Sequence, residues 1–155
     1  PEQIYRLFND VWRRCMQAVG VRCEFRIAQW PSNLKSAKAG SLQMWMLGNS
    51  ASEPDGQDSL RWLYGPEAGQ NNLARFKLAA FDEIYARMEV LPDGPERDAL
   101  IAQGLKISLA YMPYKASGHD VNTWLMQPHV RGYVPHPFMR DFWRHVDVGD
   151  VPTAP

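Results

Sequence analysis

Four histidines, His119, His129, His136 and His145, fall in the final quarter of the chain, and imidazoles are the commonest side chains for binding a transition metal. Their spacings match no helical or hairpin ligand pattern, and neither a cysteine nor a carboxylate pair accompanies them, so surface histidines are expected and no metal site. A nucleophilic triad can be drawn from Ser50, Asp55 and one of these histidines. Ser50 nevertheless lacks the Gly-x-Ser-x-Gly elbow that exposes a hydrolase serine. The run Gly65-Pro66-Glu67-Ala68-Gly69-Gln70 has two glycines but no lysine or hydroxyl of a phosphate loop, and reads as a turn. Six tryptophans remain, of which Trp12 fits a core stripe while Trp45 and Trp62 flank the polar stretch 48–56. Aromatic rings with a polar tip line ligand clefts as readily as they fill cores.

The elements that must position these residues follow from periodicity. Ile4, Phe8, Val11, Trp12, Cys15, Met16 and Val19 recur at helical spacing and Gly20 follows as a left-handed cap, which predicts an amphipathic helix. The period then changes to two. Val21, Cys23, Phe25 and Ile27 alternate with Arg22, Glu24 and Arg26, predicting a strand with one wet face. Trp30-Pro31-Ser32 interrupts it, and Ser32 is expected to cap a short helix that stops at Gly40. Residues 42–47 are apolar on both faces apart from Gln43, as in a central strand. Residues 48–56 are small, polar and turn-forming, hence a loop leaving the end of a buried strand, where ligands bind in open α/β sheets. Asp58 is placed to cap a helix carrying Leu60, Leu63 and Tyr64. Two further helices follow, around Phe81 to Leu91 and from Pro95 to about Tyr111, separated by Pro92-Asp93-Gly94 and arranged as a hairpin. Beyond Tyr114 the chain is extended, interrupted by Pro128, Pro135 and Pro137, and is the least compact part.

Composition narrows the function classes. The 155 residues carry 17 basic and 17 acidic side chains with no like-charge run, leaving no electrostatic footprint for nucleic acid or an acidic membrane. No stretch approaches the roughly 20 apolar residues that span a bilayer, and the opening lacks a signal-peptide layout. Pro1-Glu2-Gln3 opens directly onto a helix, as if the chain were cut from a longer one. Cys15 and Cys23 each sit on the apolar phase of their element and read as two buried thiols; a disulfide between them is the alternative, open only in an oxidising compartment.

Several strings, taken together, are more specific than any one alone. They are Met44-Trp45-Met46-Leu47-Gly48, Glu53-Pro54-Asp55-Gly56, Leu63-Tyr64-Gly65-Pro66 and Gly69-Gln70-Asn71-Asn72-Leu73-Ala74-Arg75-Phe76. Phe81-Asp82-Glu83-Ile84-Tyr85, Pro95-Glu96-Arg97-Asp98-Ala99-Leu100, Ala110-Tyr111-Met112-Pro113-Tyr114 and Val130-Arg131-Gly132-Tyr133 with Pro137-Phe138 complete the set. In this order they resemble the C-terminal region of bacterial extracellular solute-binding proteins, family 5, which includes dipeptide, oligopeptide, nickel and haem binders.

The resemblance implies an α/β fold: the C-terminal lobe of a type II periplasmic-binding-protein fold, a mixed sheet flanked by helices, spanning residues 1–120. Residues 121–155 form an extended tail that would pack on an N-terminal lobe absent from this chain, so exposed apolar surface and dimerisation through the tail are expected. The implied function is capture of a small solute, most simply a peptide, for an ABC permease, in the periplasm or lipid-anchored outside the cytoplasmic membrane. No catalysis and no cofactor are expected. Ligand-binding residues implied by loop position and resemblance are Trp45, Asn49, Ser50, Tyr64, Asn72 and Arg75. The family's peptide binders hold the ligand's α-ammonium group with an acidic residue after an aromatic one. The matching position here is Ser50, with Asn49 beside it, so hydrogen bonds to a peptide backbone are expected in place of a salt bridge. Glu53 and Asp55 lie close enough in sequence to substitute, or are solvated turn carboxylates. The alternatives are a haem or metal-chelate receptor of the same family, with the histidines in play, and a small α/β hydrolase.

Overall fold

The computed structural model describes residues 3–51, 53–119, 121, 123–136, 138 and 141–150. Ser52 of the polar loop and Pro137 of the closing motif lie outside the described residues. Five α-helices are present among them: α1 (Gln3–Ala18), α2 (Trp30–Ala39), α3 (Gly56–Arg61), α4 (Ala79–Glu89) and α5 (Pro95–Tyr111). Two 3-10 turns, Gly65–Glu67 and Phe142–His145, and two short strands, β1 (Val130–Arg131) and β2 (Asp147–Val148), complete the chain, which is thus mixed α and β.

The core lies where three helices meet. Leu60 of α3, Leu63 just beyond it, Phe81, Tyr85 and Met88 of α4 and Leu100 of α5 form one buried cluster. Phe81, Tyr85 and Met88 recur at spacings of four and three, which puts them on one face of α4. On α5 the buried positions are Arg97, Leu100 and Gly104, again one face. Gly104 is small because a methyl group there would lie 2.9 Å from Leu60 Cδ1. The α4–α5 hairpin expected from Pro92-Asp93-Gly94 is found, with Pro95 in the first turn of α5 and acidic Glu96 and Asp98 at the positive end of its dipole.

Helices α1 and α2 also begin and end close to where periodicity puts them. Each closes with a glycine in the left-handed region, Gly20 at φ 78° and Gly40 at φ 73°. The next amide bonds back to an orphan carbonyl of the last turn, Val21 N–H to Met16 at 2.9 Å and Ser41 N–H to Ser36 at 3.0 Å. The caps at helix starts differ from expectation. Gln29, not Ser32, precedes α2, because the helix begins one turn earlier with Pro31 in its first turn. Asp55, not Asp58, caps α3, its side chain accepting the Gln57 N–H at 2.8 Å.

The strands are the main correction. Residues 21–27 and 42–47 form no ladder among the described residues; the sheet consists of β1 and β2 alone, antiparallel, with Val130 opposite Val148 and Arg131 opposite Asp147. Alternation specifies a strand's faces but not its partner, and a strand without a hydrogen-bonded neighbour is not a strand. Accordingly Val21, Phe25 and Ile27 remain exposed, and so do Met44 and Met46. The cysteines follow the same correction: Cys15 is exposed, Cys23 half-buried, and both are free thiols. The tail's ring contacts run from Trp124 to Tyr133, Tyr133 to Phe142 and Phe142 to Trp143, so its aromatics meet one another.

Candidate functional site

The polar loop runs into α3 through Asp55, whose carboxylate is doubly engaged. One oxygen caps α3 and the other accepts from Arg97 Nη2 at 2.5 Å. Arg97 is 7% exposed, and its remaining donors reach Gln57 Oε1 at 2.7 Å, Met88 O at 2.9 Å and Leu91 O at 3.1 Å. One guanidinium therefore closes the end of α4, the start of α3 and the loop before it. The Gln57 amide hydrogen bond, reinforced by Arg97 and opposed by burial, holds the Asp55 carboxyl below its ordinary value. Asp55 is thus tied to the start of α3 and to Arg97 and is only partly exposed, not a free turn carboxylate. The partners that Ser50 and Asp55 do show among the described residues are Asn49, Gln57 and Arg97. Sequence patterning missed Arg97. Its one signal is a phase shared with Leu100 and Gly104, which puts a charged residue on the buried face.

A second junction is built by the loop 65–78. Asn72 is fully buried, and its Nδ2 donates to Tyr64 O at 3.1 Å and Phe76 O at 2.7 Å while its Oδ1 accepts from Phe76 N–H at 3.1 Å. Its amide holds the loop from within and has no face toward solvent. Tyr64 is half-buried and stacks on Tyr85 at 4.5 Å between centroids. Burial raises the Tyr85 phenol above its ordinary value, against a hydrogen bond with Gln57 that lowers it. Gly65 N–H donates to Asp82 Oδ1 at 2.7 Å, and Tyr114 Oη accepts from Ala74 N–H at 3.0 Å. On the outer side Arg61 grips Glu67 through Nε at 2.8 and 3.0 Å, and that pair, with Asn71 behind it, lowers the Glu67 carboxyl.

Of the other sequence-predicted residues, Arg75 belongs to the same loop, whereas Trp45, Asn49 and Ser50 lie outside it. Trp45 is half-buried with its ring 4.9 Å from that of Trp30. Asn49 and Ser50 are exposed, and the Ser50 amide donates to Asn49 Oδ1 at 2.9 Å. Arg75 is exposed and donates through Nη2 to Lys38 O of α2. The structure thus joins Tyr64 to Asn72, Arg75 to α2, and Trp45 to the start of α2. Among the described residues, no hydrogen bond, ion pair or ring contact ties Asn49 or Ser50 to Tyr64, Asn72 or Arg75. What the 45–50 stretch offers is an indole and two small polar side chains with backbone groups facing water. Such a surface can stack on and hydrogen-bond a solute, and it holds no nucleophile–base pair. Among the described residues no group of three or more His, Cys, Asp or Glu side chains converges.

No protein-family model matches the chain, and no solved structure matches it. Three curated proteins are similar. The heme-binding protein A of Haemophilus influenzae is 29% identical over 149 residues, 96% of this chain and 26% of that protein. The dipeptide-binding protein of Pseudomonas aeruginosa is 24% identical over 124 residues, 79% of this chain and 23% of that protein. The di/tripeptide-binding protein 1 of Pseudomonas aeruginosa is 23% identical over 145 residues, 93% of this chain and 27% of that protein. The chain spans about a quarter of the length of the curated relatives it matches. It is therefore similar, along most of its own length, to one part of larger proteins named for the small solutes they bind.

Proposed function

We propose that this chain is part of the solute-capturing subunit of an ABC importer, of the type of the extracellular solute-binding proteins of family 5, and that its cargo is a short peptide. The single observation that carries the reading is the run of similarity over 79% to 96% of the chain to three proteins, all named as binders and two of them as peptide binders. The half-buried indole and exposed small polar side chains of the 45–50 stretch suit contact with a small solute. Trp45, Asn49 and Ser50 would supply one wall of the cleft, a neutral loop that hydrogen-bonds a peptide backbone and has no carboxylate for a free amino terminus. Residues 1–120 would belong to one lobe and residues 121–155 would pack on the opposing one, with the lobes hinging about the ligand. The protein would act in the periplasm or anchored by lipid outside the cytoplasmic membrane. No helix among the described residues is long and apolar enough to cross a membrane.

The experiment is ligand recovery from the full-length protein. It is purified in the presence of a mixed di- and tripeptide library, co-purifying species are identified, and each is retested by its effect on melting temperature. Recovery of short peptides is the expected result. Replacing Asn49 and Ser50 together with alanine should then weaken binding about 5- to 50-fold, as loss of two modest hydrogen bonds predicts. Unchanged affinity would remove the 45–50 loop from the site. A second reading, haem as cargo, is favoured by the higher identity and coverage of the heme-binding relative. Haem titration of the same protein decides it, a visible absorption band replacing peptide recovery.

A further inference from the structure

We propose that Arg75 is a positioning residue: a clip that fixes the C-terminal end of α2 to the loop 65–78 and thereby aims the 45–50 stretch. This rests on the reading of Trp45, Asn49 and Ser50 as solute contacts. Arg75 is one of two non-glycine residues with positive φ among the described residues, at 54°. A side chain in that region costs backbone energy that glycine or asparagine would largely avoid, and the contacts of the Arg75 side chain offset that cost. The neighbouring backbone imposes the conformation. Fully buried Asn72 and the Tyr114 hydroxyl, which takes the Ala74 N–H at 3.0 Å, hold the turn on both sides.

The guanidinium then reaches across to Lys38 O, one of the last carbonyls of α2, which the helix itself leaves without a donor. It does so past two glycines that leave room for it. A Cβ on Gly40 would collide with Arg75 Nε, and a Cβ on Gly69 would lie 3.1 Å from Nη2 and 3.0 Å from Lys38 O. Both glycines are themselves left-handed, at φ 73° and 84°. One helical step back, Ala37 is the buried residue of α2. From Gly40 the chain doubles back, since Trp45 packs on Trp30 at the opposite end of the same helix. Helix α2 is thus a short platform under the 41–45 segment: its far end touches Trp45 and its near end is held by Arg75. Moving the near end moves the wall that presents Asn49 and Ser50.

The test uses the full-length protein with Arg75→Ala, Arg75→Gly and Arg75→Lys. Arg75→Gly removes the clip while relieving the backbone, so a loss seen in it is not a loss of overall stability. Ligand-free amide exchange should quicken about tenfold across residues 36–47 in the Ala and Gly variants and stay unchanged in α4, in keeping with loss of one charge-assisted hydrogen bond. Retention of peptides from the mixed library should fall by a similar factor, with Arg75→Lys recovering part of it. Unchanged exchange at 36–47 in both variants overturns the clip. Quickened exchange with undiminished peptide retention overturns the positioning role. A wild-type protein that retains no peptide defeats the cargo reading, and the exchange comparison then decides the clip by itself.

Discussion

Residues 3–50 and residues 55–114 solve the same problem to different extents. In the second region, α3, α4 and α5 cover one another, so that Phe81 and Met88 have no accessible surface and the buried polar groups Asn72 and Arg97 each make several hydrogen bonds. In the first, α1 carries as clear an apolar stripe, yet Ile4 and Leu7 are each more than half exposed and Phe8 and Val11 nearly so. Its described attachments are slight: Arg13 over the Phe25 ring at 5.4 Å and Lys115 over the Trp12 ring at 5.8 Å. Burial of apolar area stabilises at roughly 25 cal/mol per Å², so the stripe of α1 contributes little while it faces water. The contrast teaches that a patterned face states a requirement, and that only a second face meets it.

The comparison can be broken most sharply at Phe81. Phe81→Ala should destabilise the chain by about 3–5 kcal/mol in urea unfolding, because the α3–α4–α5 core cannot collapse around the loss. Arg97→Met comes next, at about 2–4 kcal/mol, since two helix-end carbonyls and Asp55 lose their donor together. A cost near zero would mean that water replaces the guanidinium and that the node does not hold the region closed.

A smaller effect is expected in acid. The folded carboxyl of Asp55 is depressed, so its contribution is fully present above the ordinary aspartate value near ~4 and is lost as pH falls through the lowered folded value. Asp55→Asn, which still caps α3, should flatten the pH dependence of stability below about pH 4; Glu67, depressed by Arg61, supplies the slope that remains. The smallest change is predicted in the other region. Phe8→Ser on α1 should alter stability by less than about 1 kcal/mol, because the ring is already 44% exposed. A loss as large as that of Phe81→Ala would show that α1 is covered in solution.

The legible parts of the fold were those decided within a few residues. Gly20 and Gly40 stop α1 and α2, Pro92-Asp93-Gly94 separates α4 from α5, and Met112 with Pro113 ends α5. Residues 42–47 were not legible, because an apolar run reads equally as a central strand and as a segment whose neighbour is elsewhere. Of the candidate residues, Tyr64, Asn72 and Arg75 stand close in sequence; that Asn72 is sealed inside its loop while Arg75 turns away to α2 depends on contacts 4, 8 and 37 residues apart.

The sequence by itself determined helix placement, the punctuating glycines and prolines, the absence of a charge footprint for nucleic acid, and the similarity to solute binders. These depend on local backbone preference, on composition or on residue order, all of which are properties of short or linear stretches. Tertiary structure alone decided which apolar faces are covered, that Asp55 belongs to Arg97 and α3, and that Trp45 rests on Trp30. Apart from the Asp55 cap on α3, which is local, each of those is a meeting of residues well separated in the chain, and which groups meet is set by the packing of whole elements against one another.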